Sequence, residues 1–466
     1  MPALEGPTPR HALPGGHRLW RLAARPASVG SAGFAAVILV GAILLWLPQS
    51  SSGADGPTFL SALFTATSAV CVTGLNVVDA AQWSDAGQVV IIVLIQLGGF
   101  GIMAFASLLG LLVSGRLKLR MELNAQAETK SGGQGDVRRV LLNIAKTTVV
   151  IEAAAGLMLA CRFHFAYGES VGHAMFSGGF HAVSAFNNAG FGLRSDNVVS
   201  YSGDPWVLLP ITGAVVLGGI GFPVLFELLR GTRRRARGAV PHRLRAQTRL
   251  TVVVTGALLF SGTLLTCLLE WSNAHTLGSM NWSDKLLNGL FHTAISRTAG
   301  FASFDTGALH TVTILATCVL MFIGGGSSGT AGGIKVTTFA VLAATIRAEV
   351  RGDRDVEIMG RRLAETLLRQ AITIALLGVG LVTIATLLLV ELTGLPTEAV
   401  LFEAVSAFST TGSSTGITGG LPASGQIVLI LLMFIGRIGP ATLASALALR
   451  DRRHHYRLPE ERLVIG

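Results

Sequence analysis

The chain has 466 residues, of which 50% are hydrophobic and only 13% charged, with a mean hydropathy of +0.59. Soluble domains carry roughly 25% charged residues, and this chain holds apolar runs of about 20 residues, enough to cross a bilayer core of about 30 Å, so a soluble protein with one large core is the weak reading. The net charge of +10 first suggests nucleic acid, but 29 of the 36 Lys/Arg fall in five clusters between or beside apolar runs, as the positive-inside rule expects of cytoplasmic loops.

Residues 1–28 form a basic segment with four Lys/Arg through Arg25, expected on the cytoplasmic side. Its basic residues and the apolar run at 34–47 imitate a signal peptide, but the repeat pattern described below needs that run as a permanent helix. A first unit spans 29–114, with an apolar span at 30–48, a shorter amphipathic stretch at 59–71 and a second span at 87–113. Six basic residues follow at 115–139. The second unit, 140–230, has spans at 140–161 and 205–229, and eight basic residues follow at 230–249. Within them, Arg233-Arg234-Arg235-Ala236-Arg237 fits a solvated cytoplasmic loop better than a site for nucleic acid or anionic lipid. The third unit, 249–346, has spans at 249–270 and 309–345, with six basic residues at 346–369. The fourth, 369–450, has spans at 369–392 and 425–449, before a cytoplasmic tail at 451–466. Cys71, Cys161, Cys267 and Cys318 are widely spaced, form no CxxC pair and count as small hydrophobes.

One motif recurs in all four units: Thr67-Ser-Ala-Val-Cys-Val-Thr-Gly74, His181-Ala-Val-Ser-Ala-Phe-Asn-Asn-Ala-Gly190, His292-Thr-Ala-Ile-Ser-Arg-Thr-Ala-Gly300 and Glu403-Ala-Val-Ser-Ala-Phe-Ser-Thr-Thr-Gly412. The glycines are 116, 110 and 112 residues apart, and Phe64, Phe180, Phe291 and Phe402 precede them at similar offsets. The stretch before each glycine, about a dozen residues, suits a re-entrant helix better than a full crossing. Each unit then crosses twice and dips in once, so all four share one orientation. The glycine loops open on one face, and the basic connectors and both termini lie on the cytoplasmic face. The expected fold is an all-α polytopic membrane protein. It has eight transmembrane helices and four re-entrant pore helices, as four tandem helix–pore-loop–helix repeats around one pseudo-fourfold pore.

Non-helical backbone at membrane depth is tolerated only where it is buried in protein or lines a water-filled path. Four such loops on one axis can replace the hydration shell of a cation with carbonyls. Glycine reaches positive φ without a Cβ clash, and each preceding helix ends there with its negative dipole end toward the ion. The segments Thr-Gly-Leu75, Asn-Asn-Ala-Gly-Phe191, Ser-Arg-Thr-Ala-Gly-Phe301 and Ser-Thr-Thr-Gly412 resemble the four filter segments of the Trk/Ktr/HKT potassium-transporter superfamily, over residues from about 30 to 450. That resemblance implies a K⁺ filter of backbone carbonyls from Val72, Thr73 and Gly74, from Asn188, Ala189 and Gly190, from Thr298, Ala299 and Gly300, and from Thr410, Thr411 and Gly412. In that superfamily a glycine in every loop goes with K⁺ selectivity, and a serine in the first loop with Na⁺ permeation. All four are glycine here. Beside the filter, Arg297 is expected to point away from the pore and brace its loop, through a carboxylate such as Glu403. Asn187 and Asn188 are expected to hydrogen-bond loop backbone, and Glu152 to be a buried structural partner.

The second spans share a motif too: Leu97-Gly-Gly-Phe-Gly101, Leu217-Gly-Gly-Ile-Gly221, Ile323-Gly-Gly-Gly326 and Ile435-Gly-Arg-Ile-Gly439-Pro440. Close helix packing explains three of them. The third span is 37 residues long, about 55 Å as one helix and too long for a bilayer. Its middle, Gly324, Gly325, Gly326, Ser327, Ser328, Gly329, Thr330, Ala331, Gly332 and Gly333, is a poor helix former. A broken helix with a flexible loop is expected. A phosphate loop is rejected, because Gly333 is followed by Ile334 and Lys335 where a Gly-Lys-Ser/Thr sequence is required. This stretch resembles the superfamily's intramembrane gating loop, and Arg437 matches its fourth-repeat arginine below the filter, an electrostatic barrier to cations. Lys335 either acts at the same constriction or snorkels to the inner interface.

The resemblance implies K⁺ uptake across a bacterial plasma membrane through one pore per chain, with Na⁺ as a candidate activating or coupled ion and no covalent cofactor. With no helix pair before residue 30 and connectors too short for a nucleotide-binding domain, the chain is similar to the Ktr branch. That branch implies a homodimer on a cytosolic ring of RCK-type subunits that bind ATP or ADP. The bilayer is the other partner, and nucleic acid is none. Alternatives are a less selective Na⁺/K⁺ transporter, a sensor without conduction, or a membrane-embedded enzyme using Glu152, Glu403 or a histidine. No HExxH, paired-Asp or Ser/His/Asp pattern supports an enzyme.

Overall fold

A computed structural model of the chain describes residues 26–52, 56–101, 134–236 and 244–449. The expected basic segment up to residue 25, the 115–133 part of the first connector, residues 237–243 of the second and the 451–466 tail lie outside the described residues.

The first unit runs from α1 (Pro26–Trp46) through a short helix α2 (Phe59–Val70) to α3 (Asp85–Gly101). Pro26 suits the first turn of α1, where its missing N–H leaves no intrahelical bond unmade, and Pro48 follows just past its end. Thr58 caps α2 by accepting from Ser61 N at 3.1 Å. The second unit has α4 (Gln134–Tyr167), the short α5 (Val171–Asn187), α6 (Pro205–Gly219) and α7 (Phe222–Ala236). Ser170 caps α5, and Asp204, with Pro205 in the first turn, caps α6. The third has α8 (Ala246–Glu270), the short α9 (Trp282–Ser296), α10 (Thr311–Phe322) and α11 (Val336–Arg351). A two-residue hairpin, β1 (Glu357–Ile358) with β2 (Arg361–Arg362), leads to the fourth unit. That unit has α12 (Glu365–Thr393), the short α13 (Thr397–Phe408) and α14 (Ala423–Leu449).

Among the described residues, 139–167, 246–270 and 365–393 are each long and apolar enough to cross a bilayer alone. These segments of α4, α8 and α12 expose large apolar side chains on their outer faces, such as Val149 and Leu157, Phe260 and Leu268, and Leu376 and Leu387. A soluble protein would bury such a belt; a lipid-facing surface does not need to. The protein is an all-α polytopic membrane protein of four tandem units.

The four units close into a circle. The second helix of each packs on the short helix of the next: α6 on α9, α10 on α13 and α14 on α2. Gly99 of α3 lies against Asn187 at the end of α5 and completes the set. Phe64, Phe180, Phe291 and Phe402 are all buried, one in each short helix.

The 37-residue third span is broken as its glycine run predicts: helix stops at Phe322 and resumes at Val336. The second span of the second unit departs from expectation. Read as one helix over 205–229 with a simple packing motif, it bends by 109° between α6 and α7. Gly221 sits at the break with φ +96°. The reason is tertiary, because the loop between α10 and α11 fills the space that a straight helix would occupy.

Candidate functional site

All four short helices run their C-terminal ends toward a common point, where the four glycines meet. Each loop takes positive φ at two residues spaced two apart: Val72 (55°) and Gly74 (97°), Asn188 (62°) and Gly190 (71°), Thr298 (141°) and Gly300 (65°), Thr410 (48°) and Gly412 (89°). Alternation between left- and right-handed backbone turns successive carbonyls to one side of a strand, and it favours glycine at the tighter position. The contacts between loops are cyclic. A Cβ added to Gly74 would run into the carbonyl oxygen of Ala189, one on Gly190 into that of Ala299, one on Gly300 into that of Thr411 and one on Gly412 into that of Thr73. The twelve residues expected to line the ring, Val72 to Gly74, Asn188 to Gly190, Thr298 to Gly300 and Thr410 to Gly412, are thus brought to one place.

The backbone of this ring is tied to the ends of the short helices. Thr73 N donates to Ser68 O at 2.7 Å, Ala189 N to Ser184 O at 2.7 Å and Thr411 N to Ser406 O at 2.9 Å. Ser68 and Ser406 hydroxyls also accept from Gly74 N and Gly412 N at 2.9 and 3.0 Å. The third loop differs: Ala299 N reaches back four residues, to Ile295 O at 2.8 Å, because this loop is one residue shorter. Its phenylalanine stands nine residues before the glycine where the others stand ten, a signal legible in the sequence. The wider φ of Thr298 goes with that shortening.

Directly beside the ring lies the stretch from Gly324 to Gly333. Gly324 N donates to Ile334 O at 2.9 Å and Ile334 N to Phe322 O at 3.0 Å, which pinches the ends of the loop together. The loop then threads into the break of the second unit. Gly326 N donates to Gly219 O at 2.8 Å, Thr330 N to Gly218 O at 3.1 Å, and Phe222 N to Ser328 O at 3.2 Å. Gly218 must be glycine for a second reason, since a Cβ there would strike Phe186 O. Gly98 against Val70 O and Gly436 against Phe408 O repeat this approach in the first and fourth units. At the other edge of the loop, a Cβ on Gly332 would meet Ser409 O and Thr410 Oγ1 beside the fourth glycine loop.

Five charged or amide side chains bind this assembly together. Arg437 Nη1 donates to Thr330 O at 2.5 Å, and its Nε and Nη2 have no partner among the described residues. Lys335 Nζ folds back onto Ala331 O rather than reaching away from the loop. Arg297 is buried and, where it was expected to brace its own loop through Glu403, its Nη2 instead donates to Gly324 O at 3.0 Å and ties the third glycine loop to the 324–333 stretch. Glu403 instead accepts from Ser414 Oγ at 2.5 Å, Thr415 N at 3.1 Å and Thr418 Oγ1 at 2.8 Å, holding the chain that leaves the fourth glycine loop. Asn188 also differs from expectation, because its partners are side chains and not loop backbone. Its Nδ2 donates to Thr298 Oγ1 and its Oδ1 accepts from Thr330 Oγ1, both at 3.0 Å. A cavity of about 20 Å³ lies among Asn188, Arg297, Thr298, Gly219 and Ala331, room for one water.

Asn187 donates to Val183 O at 3.0 Å, but also to Gln96 Oε1 at 2.9 Å and Glu152 Oε1 at 3.0 Å. Gln96 Nε2 donates to Glu152 Oε2 at 3.3 Å. This buried cluster joins α3, α4 and the end of α5, and gives Glu152 the structural partners expected of it. Gln96 was not singled out in the sequence, although a lone amide inside an apolar span is a signal that could have found it. In the sequence Gly218 and Gly219 read only as packing residues, because a similar motif lies inside α14, where helix continues past it.

A ring of four backbone loops at the centre of four tandem units, with the glycine-rich 324–333 loop packed beside it, defines the architecture of a polytopic membrane protein with one central axis. Residues 26–452 match the family model TrkH, described as cation transport protein. The chain belongs to this family. It is 37% identical over 444 residues to the Ktr system potassium uptake protein B of Bacillus subtilis, covering 95% of this chain and 97% of that one. To the protein of the same name from Vibrio alginolyticus it is 37% identical over 434 residues, 93% of each. It is 32% identical over 450 residues to the potassium/sodium uptake protein NtpJ of Enterococcus hirae, covering 95% of this chain and 97% of that one. The crystal structure of the potassium transporter TrkH from Vibrio parahaemolyticus matches with a TM-score of 0.67 at 18% identity, over 89% of this chain and 84% of that one. This last likeness bears on the fold.

Proposed function

We propose that the chain takes up K⁺ through a single pore whose selectivity filter is the ring of Gly74, Gly190, Gly300 and Gly412 with the two residues before each. The observation that carries this reading is the cyclic contact of each glycine with the carbonyl of the next loop. It brings four sets of carbonyls within reach of one dehydrated cation, at the negative ends of four helix dipoles. The names of the relatives support K⁺ as the ion. The loop from Gly324 to Gly333 and Arg437 form the gate: a guanidinium at membrane depth faces an interior or aqueous cavity and repels cations until it moves. Lys335 adds a second positive charge at the same constriction.

In this reading the glycine loops face outward, both termini are cytoplasmic, and the membrane is the bacterial plasma membrane. The units run over 29–114, 140–230, 249–346 and 369–450. The chain is the pore-forming half of a two-component system, a homodimer controlled by a separate cytosolic ring that binds ATP or ADP. A second reading, a less selective K⁺/Na⁺ transporter of the same architecture, is favoured by the likeness to the potassium/sodium uptake protein.

Rb⁺ uptake into vesicles reconstituted with the full chain tests this. Uptake should exceed that of empty vesicles and vanish when Gly190 or Gly300 is replaced by a bulky residue. Uptake unaffected by both substitutions would refute the reading, and equal uptake of Na⁺ would favour the second one.

A further inference from the structure

Thr330 stands at the crossing of the intramembrane loop and the glycine ring, and all of its polar groups are engaged. Its N–H donates to Gly218 O at 3.1 Å and its carbonyl accepts from Arg437. Its hydroxyl, fully buried, has one proton for two acceptors: Asn188 Oδ1 at 3.0 Å and Phe186 O at 3.2 Å. Asn188 in turn donates from Nδ2 to Thr298 Oγ1 at 3.0 Å. A chain of side-chain hydrogen bonds therefore runs from the loop through the second glycine loop to the third.

Two features make this chain more than packing. Asn188 and Thr298 both hold positive φ, at 62° and 141°, without being glycine. Such conformations persist only where the surroundings over-determine them. Their backbone N–H groups donate to Ala185 O and Ile295 O, both at 3.0 Å, and their side chains are held by each other and by Thr330. Ala189 N and Ala299 N, in the same peptide units as the two carbonyls, donate to Ser184 O and Ile295 O, and the side-chain bridge adds a lateral tie between the second and third glycine loops. Among the described residues the first and fourth glycine loops make no such side-chain hydrogen bond to the loop, and their glycine N–H groups are held instead by the hydroxyls of Ser68 and Ser406.

We propose that Thr330 is a positioning residue for ion selectivity: through its hydrogen bond to Asn188, the closed intramembrane loop holds the second and third sets of ring carbonyls in their selective geometry. The inference rests on the filter reading above. Withdrawal of the loop breaks the bond to Asn188, loosens the tie between the second and third glycine loops, and lowers discrimination between K⁺ and Na⁺ as flux rises. Selectivity is then a property of the loop and the ring together.

The test is the ratio of Rb⁺ to Na⁺ uptake in vesicles holding the full chain, each variant first checked for a monodisperse profile in detergent. Thr330→Val keeps the shape and removes the proton; its ratio should fall about tenfold. Thr330→Ser restores the donor and should keep the wild-type ratio. Thr298→Val leaves the loop untouched, cuts the far end of the chain and should lower the ratio as well, which keeps the inference testable if Thr330→Val fails to fold. With Asn188→Ala already present, Thr330→Val should cause no further loss, because contacting residues of one network are not additive. A wild-type ratio in both valine variants would overturn the inference, as would loss of selectivity in Thr330→Ser. Gly300→Ala separates the two failures. If it abolishes flux while the valine variants keep the ratio, this inference alone falls; if flux survives it, the filter reading falls too.

Discussion

Arg437 on the last helix donates to the carbonyl oxygen of Thr330 at 2.5 Å, so a buried guanidinium of the fourth unit holds the intramembrane loop of the third. The loop is gripped from three sides: by Arg437, by Arg297 at Gly324, and by the broken helix of the second unit.

Replacing Arg437 by Met removes both the grip and the positive charge. A hydrogen bond to a charged group contributes about 1.5–3 kcal/mol, about tenfold or more in the closed-to-open ratio. Rb⁺ uptake by Arg437→Met should therefore rise severalfold over wild type. A fall in uptake at equal protein would show that the guanidinium supports conduction instead of barring it.

Gly221 holds φ +96°, and a Cβ there would meet Ser327 O. Gly221→Ala should destabilise the fold by about 1–3 kcal/mol through backbone strain alone, with a further cost from the displaced loop. The unfolding midpoint in detergent should drop by several degrees and basal Rb⁺ uptake should increase. Gly231→Ala, in open space on α7, serves as the control and should change neither.

The Gln96–Glu152–Asn187 cluster predicts a graded series. Glu152→Gln keeps an acceptor for Asn187 and should lower the unfolding midpoint only slightly. Glu152→Leu leaves buried amide donors without it, at about 1–3 kcal/mol, and should lower the midpoint clearly. Equal midpoints in the two variants would mean that water or rearrangement replaces the carboxyl group.

Glu403 ties Ser414, Thr415 and Thr418 to α13. Glu403→Ala should loosen the chain beyond Gly412. Hydrogen exchange across residues 413–418 should become faster, with exchange in α13 unchanged.

Much of this was legible in the residues. Four glycines at near-constant spacing, each preceded by a phenylalanine and flanked by two apolar spans, specify the four units and the ring. The break after Phe322 was legible because a glycine run cannot pay for helix across a span too long for the bilayer. The break at Gly221 was not. Leu217-Gly-Gly-Ile-Gly221 and Leu97-Gly-Gly-Phe-Gly101 have the same glycine spacing, yet helix runs through Gly101 and stops at Gly219. The difference lies in the partner: the loop of the third unit threads between α6 and α7, bonding to Gly218, Gly219 and Phe222, and tertiary contacts override local propensity. Arg297 reads in the sequence as a brace of its own loop on Glu403, whereas it ties that loop to the carbonyl of Gly324. A buried arginine can use any carbonyl within reach, and the carbonyl of Gly324 becomes free only because helix α10 ends there.

The central claim is that a cation sits within the ring of carbonyls around Gly74, Gly190, Gly300 and Gly412. An experimental structure of the full chain prepared in Rb⁺, with the anomalous signal of that ion mapped, tests it directly. A peak is expected on the axis of the ring, within coordination distance of the carbonyl oxygens of Thr73, Ala189, Ala299 and Thr411, and lost in Gly300→Ala. A clear map with no peak there, or with Rb⁺ bound only elsewhere in the protein, would contradict it.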